Sequence, residues 1–160
     1  MPPIKLSLMS ATPTTIHMDR CLWQRHQEAA CNYCLSACPS GALQFSNRLV
    51  HLNEDRCLGC GVCLSTCPVE CFESETWTER SLFNTLQKIE HPAIEVACQL
   101  HPAPRAGSEA IPVLQIGACL GAISPGLWFE IGMEHRVQVR LEICADCPVS
   151  RLALYTRQAI

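Results

Sequence analysis

Charge is scarce in this sequence: only 17% of its 160 residues are Asp, Glu, Lys or Arg, and the formal net charge is −3. No run or stripe of Lys and Arg occurs, so the electrostatic footprint of a nucleic-acid-binding surface is missing. Long apolar runs are missing as well, and no window approaches the ~18 apolar residues that span a bilayer. The opening stretch MPPIKLSLMS holds one basic residue, Lys5, and no continuous apolar segment, so it does not read as a secretory leader. There is no glycine-rich phosphate loop, no flavin or nicotinamide fingerprint and no pairing of nucleophile with base. These gaps predict a soluble, cytoplasmic chain that binds no nucleic acid and leaves catalysis to a partner. With so few charges on so short a chain, apolar surface is hard to cover, which points to burial in a larger complex. Cysteine and alanine inflate the hydropathy and offer a plainer explanation of the same composition.

What the sequence has in excess is cysteine, 13 residues. That much cysteine belongs either to a disulfide scaffold or to a metal protein. The thiols occur in tight runs, their number is odd, and no leader directs the chain to an oxidising compartment. All three observations favour metal in a reducing cytosol, where thiols stay free.

The runs form an internal repeat. Cys31, Cys34, Cys38 and Pro39 recur as Cys60, Cys63, Cys67 and Pro68 at an offset of 29 residues, with Leu35-Ser36 answered by Leu64-Ser65. Cys57 precedes the second copy and completes Cys57-x2-Cys60-x2-Cys63-x3-Cys67-Pro68. A single pair of thiols two residues apart is shared with zinc ribbons and redox dithiols. Consecutive triplets with a trailing cysteine suit a cubane better than the separated pairs of a four-cysteine zinc site.

Over roughly Cys21 to Phe72 the pattern resembles the bacterial ferredoxins that hold two 4Fe–4S clusters. In that family the fourth cysteine of each run ligates the other cluster. Carried over here, the resemblance implies one cluster on Cys57, Cys60, Cys63 and Cys38, and a second on Cys31, Cys34, Cys67 and one further ligand. The first copy departs from the family pattern, because the position equivalent to Cys57 is Glu28. Cys21, seven residues upstream of it, is the nearest thiol. Cys21 can reach across a longer loop at little entropic cost. Two alternatives stand beside it: a three-cysteine 3Fe–4S centre, or a hard ligand from Glu28 or His26. Between the copies, Ala42 to Leu52 alternates around Ser46-Asn47 as a β-hairpin. Cys71 stands where the first copy has Ala42, and reads as a small buried residue.

After Cys71 the texture changes. Thr76-Trp77-Thr78-Glu79 looks like a capping box for a helix from about Glu79 to Ile89, ended by Pro92. Ala93–Cys98, Pro112–Gly117 and Val137–Ile143 read as strands, and residues 101–110 as a proline-rich loop. Ser124-Pro125 opens one helix, and another runs from Pro148 to about Gln158. Strands alternating with helices predict a small α/β lobe with some parallel pairing. The whole is an α+β fold, a ferredoxin-like two-cluster domain followed by that lobe. Its divisions are an N-terminal extension (1–20), the two-cluster domain (21–75), a linking helix (76–92) and the α/β domain (93–160).

Cys98, Cys119, Cys144 and Cys147 follow the predicted strands and would gather at one sheet edge. The run from Ala118 to Gly132, followed by a strand and Cys144-Ala-Asp-Cys147, resembles the delta subunit of methyl-viologen-reducing hydrogenase. That resemblance implies a third iron–sulfur centre, 2Fe–2S or 4Fe–4S, on these four cysteines. The family's first strand usually ends in a cysteine pair, whereas here Gln99 and Leu100 follow Cys98. Zinc on Cys98, His101, Cys144 and Cys147 is one alternative; a redox dithiol at Cys144 and Cys147 is another. The remaining histidines read as surface residues, and Trp23, Tyr33, Trp77 and Trp128 as packing.

Cysteine-bound clusters without substrate machinery imply single-electron transfer to or from a larger oxidoreductase, of hydrogenase, formate or aldehyde dehydrogenase, or disulfide reductase type. A redox or oxygen sensor, a cluster-assembly protein, or a thiol–disulfide protein using Cys144 and Cys147 are the competing classes.

Overall fold

Seven short strands among the described residues pair in three separate sheets. The computed structural model describes residues 14–26, 28–75, 77–101, 111–142, 144, 147 and 149. Strand β1 (Thr14–Ile16) pairs antiparallel with β4 (Phe72–Ser74). Strands β2 (Leu43–Ser46) and β3 (Leu49–Leu52) form the hairpin expected between the cysteine runs. Between these lie three short helices, α1 (Leu22–Arg25), α2 (Tyr33–Ala37) and α3 (Val62–Thr66). A longer helix, α4 (Glu79–Leu86), leads to β5 (Ala93–Ala97) and β6 (Val113–Gln115); α5 (Pro125–Glu134) and β7 (Arg136–Val139) follow. Mixed helices and small sheets are compatible with a ferredoxin-like α+β fold.

The last three strands form one sheet in the order β6-β5-β7, parallel throughout. A central parallel strand is covered on both faces and reads as a continuous buried run. Ile94, Glu95, Val96 and Ala97 are all buried accordingly. The carboxylate of Glu95 is tolerated there because Arg140 meets it with two bonds, Nε and Nη2 at 2.9 and 2.8 Å from Oε2.

Local details differ from the sequence expectation in four places. The hairpin turns on Asn47 and Arg48, not on Ser46-Asn47, because both Asn47 and Arg48 take the left-handed backbone that a two-residue hairpin requires. Helix α4 is capped by Thr78, whose Oγ1 accepts the Ser81 amide while Ser81 answers the Thr78 amide. Glu79 is thereby freed, and its carboxylate accepts both the Ser124 amide and the Ser124 hydroxyl at the start of α5. Negative charge at a helix N-terminus is favourable. Tyr33, expected to pack, is 60% exposed. His135, expected on the surface, is buried, with Nδ1 against the His91 carbonyl at 2.9 Å. The Ser124-Pro125 helix start is found as expected, with Ser124 Oγ accepting the Leu127 amide. The loop at 102–110 and the helix expected at 148–158 fall outside the described residues, apart from Val149.

Two cores hold the described chain. One is built on Leu82, Leu86, Ile94, Val96, Leu114, Ile116, Trp128 and Ile131, and it includes Val62 of α3. Full burial of each such side chain stabilises the fold by about 1.5–3 kcal/mol. The other surrounds Cys21, Cys34, Leu43, Val50, Cys71 and Phe72. Leu64 packs against both. Helix α3 is therefore the seam between the halves. Residues 14–16, placed by sequence in an N-terminal extension, form a strand of the first half's own sheet.

Candidate metal centres

The repeat in sequence becomes a repeat in structure. Helix α2 carries Cys34 and ends at Cys38, and α3 carries Cys63 and ends at Cys67; each last cysteine takes extended backbone ahead of its proline. The two helices pack on one another. Gly59 and Gly61, both at positive φ, let the chain wind tightly between Cys57 and Cys63.

Electrostatics divides the thiols of this half into two groups. Burial pushes the Cys63 thiol up to about 12, and Cys60, Cys57 and Cys38 push it further the same way. Cys60 is also raised, by burial first and then by Cys38 and Cys57. Cys34 is pushed up to about 11 by burial, with Cys67, Cys21 and Cys31 adding to it. The structure thus brings together Cys38, Cys57, Cys60 and Cys63 on one side, and Cys21, Cys31, Cys34 and Cys67 on the other. The second group lines one apolar cavity beside Phe45, Val50 and Phe72. Glu28 and His26, the alternative ligands, are exposed and do not line it.

Cys38 behaves differently from its neighbours. Burial raises it, yet the amides of Leu43, Ala42 and Ser40 and the Ser40 hydroxyl outweigh that effect, and its thiol lies below the ordinary value. Thiolate is the reactive form. In cluster-free protein, limited iodoacetamide treatment near pH 8 is therefore expected to modify Cys38 ahead of Cys34, Cys63 and Cys119. Peptide mass spectrometry against time reads the order directly, and equal rates at all four sites would contradict it.

Cys71 is buried, as expected of a small core residue. What the sequence does not reveal is its neighbourhood. Its amide donates to Cys67 Sγ at 3.3 Å, and its thiol, raised first by burial, is raised further by Cys67 and Cys21.

In the second half Cys98, Cys119, Cys144 and Cys147 line a single cavity of about 160 Å³, walled by Leu58, Leu100, Leu120 and Leu141. Burial, partly offset by the Gly121 amide, pushes the Cys119 thiol up to about 12, with Cys60, Cys98 and Cys147 contributing. Gln115, which no motif singles out, clamps the turn after Cys98: its Nε2 donates to the carbonyls of Cys98, Gln99 and His101 at 3.3, 3.4 and 2.9 Å. His101 is not among the residues lining this cavity, and its Nε2 lies 3.2 Å from Glu142 Oε2. Among the described residues no group of three or more His, Cys, Asp and Glu is arranged to hold a single metal ion. Sets of four cysteines lining apolar cavities are the donor type that an iron–sulfur cluster takes.

Paired helices that end in Cys-Pro, with small antiparallel sheets beside them, are compatible with a bacterial-type ferredoxin domain. Residues 29–71 match the family model of the 4Fe-4S dicluster domain, and this segment is such a domain. It is similar to an uncharacterized ferredoxin of Methanocaldococcus jannaschii, 44% identical over 43 residues, which are 24% of this chain and 26% of that one. It is 49% identical over 37 residues to the formate dehydrogenase iron-sulfur subunit of Haemophilus influenzae, covering 22% and 12%. The electron transport protein HydN of Escherichia coli K12 is 38% identical over 40 residues, covering 25% and 23%. The chain thus spans about a quarter or less of the length of these relatives. No solved structure matches. No helix among the described residues is long and apolar enough to cross a membrane.

Proposed function

We propose that this chain is a cytoplasmic iron–sulfur relay that passes single electrons to or from a larger oxidoreductase of formate dehydrogenase or hydrogenase type. Cys57, Cys60, Cys63 and Cys38 hold one 4Fe–4S cluster, and Cys21, Cys31, Cys34 and Cys67 hold a second. Cys98, Cys119, Cys144 and Cys147 hold a third centre in the α/β lobe, whose core also takes in Leu82 and Leu86 of α4. The observation that carries this reading is the grouping of twelve cysteines in three sets of four, with all of the first two sets but Cys21 inside the segment matched by the dicluster family. Names among the relatives support the choice of partner, since they include a formate dehydrogenase subunit and an electron transport protein.

When bound, each cluster accepts and releases one electron. The chain contributes the rest: thiolates at set positions, amide donors such as that of Cys71 on a ligand sulfur, and apolar walls that exclude water. Anaerobic purification with iron, sulfide and zinc counted per chain tests the assignment. About ten irons are expected if the third centre is 2Fe–2S. About eight irons with one zinc would remove the third centre, and fewer than about six would remove the two-cubane assignment.

A further inference from the structure

The two halves meet at one cysteine. Cys60 belongs with Cys38, Cys57 and Cys63 by its electrostatic neighbours. Yet it also lines the cavity of Cys98, Cys119, Cys144 and Cys147, and no other cysteine of the first half does. Its backbone carbonyl accepts the amide of Cys119 at 3.0 Å. A path thus runs from the Cys60 thiol through its own backbone, across one hydrogen bond, to Cys119 and its thiol.

The approach is made possible by small residues. Gly61 has φ +77°, a conformation side chains rarely adopt, and a Cβ built on it would stand 3.2 Å from the Ala118 Cβ and 3.3 Å from the Ala122 Cβ. Both alanines are buried. With three small residues in contact, the backbone of Cys60 reaches the turn at Cys119. A larger group at position 61 would push the turn away, because both contacts are with atoms next to the main chain. No thiol of the Cys21, Cys31, Cys34 and Cys67 group lines the second-half cavity, and no second-half thiol lines theirs.

We infer that Cys60 is the junction through which electrons cross between the halves, so that the three centres act in a fixed line. The centre on Cys21, Cys31, Cys34 and Cys67 is at one end, that on Cys38, Cys57, Cys60 and Cys63 in the middle, and that on Cys98, Cys119, Cys144 and Cys147 at the other end. Gly61 is the positioning residue of the junction. In the crossing step one electron leaves the middle centre, which is oxidised, and arrives at the second-half centre, which is reduced. The reverse holds for flow the other way, and no bond or proton changes hands. This rests on the three-centre reading.

Electron paramagnetic resonance of the full chain, reduced with dithionite, tests the order. Magnetic interaction with the middle centre is expected to broaden the second-half signal. That broadening should survive in Cys31→Ala/Cys34→Ala protein, which lacks the far centre. It should be narrowed in Gly61→Val protein at unchanged iron content. A second-half signal that is sharp in the wild type at about ten irons, or sharp once the Cys31/Cys34 centre is gone, overturns the order while leaving the three-centre reading intact. Broadening identical to that of the wild type in a fully loaded Gly61→Val protein overturns the junction. If that variant fails to load, the wild-type and Cys31→Ala/Cys34→Ala spectra still decide the order. About eight irons and no third signal would instead sink the reading beneath it.

Discussion

Cys21→Ala protein is expected to lose one cluster or to convert it to a 3Fe–4S centre, while Glu28→Ala and His26→Ala proteins keep both. The loss would be about one to four irons per chain, with the signal of an oxidised three-iron centre appearing if only one iron is shed. The physical ground is placement. Cys21 is 7% exposed and faces the cavity that Cys31, Cys34 and Cys67 share, whereas Glu28 and His26 lie exposed outside it. Cys21 is held there by its backbone: its amide donates to Met18, and its carbonyl accepts the amides of Gln24 and Arg25. A spacing nine residues long in sequence is thereby closed by a turn and one short helix, α1. Iron analysis and low-temperature spectra of the three variants, prepared in parallel, separate the ligands. Full iron in Cys21→Ala together with loss in Glu28→Ala would reverse the assignment.

The second large effect is expected from Cys119→Ser. Its thiol stands between Cys60, Cys98 and Cys147 in the 160 Å³ cavity, and its amide is already committed to Cys60. Serine preserves the size of the side chain and the backbone bond, so the packing of Leu120, Ala122 and Val62 should be kept. What changes is the donor: a hydroxyl is a hard, weakly acidic ligand where iron in a cluster calls for thiolate. The third centre should be lost, about two irons per chain if it is 2Fe–2S, with the two first-half clusters intact. Iron and sulfide counts with reduced-state spectra read this. An unchanged spectrum would mean that Cys119 is a core residue and that the cavity is not a metal centre of this kind.

Much of the first half is legible in the amino-acid sequence. The repeat at an offset of 29 residues, the prolines after Cys38 and Cys67, and the hairpin between them are local features. The departures fall where two local solutions compete. At the hairpin, Asn47 and Arg48 take the left-handed turn because the pairing register of Leu43 with Leu52 places them at its centre. At α4, Thr78 is the cap, since Ser81 can answer it, and Glu79 turns to α5 instead. The turn depends on the register of the partner strand, and the Glu79 contact on a distant helix, whereas the Thr78–Ser81 box itself is local.

The second half divides differently. Strand positions and the Ser124-Pro125 start are readable from buried apolar runs, alternation and capping chemistry. The strand order β6-β5-β7 is not, since alternation says which residues are buried and nothing about which strand lies beside them. Gln115 escapes sequence reasoning because a side-chain amide bonding three carbonyls has no sequence signature.

The sequence by itself determined that this chain carries thiols in ferredoxin spacing, because that spacing is a local property of tight loops. It also named the four later cysteines that follow the predicted strands. Only the tertiary structure decided which thiols share a space, and that Cys60 faces both halves. Such a contact spans about sixty residues of chain and exists only because a glycine and two alanines let separate backbones meet.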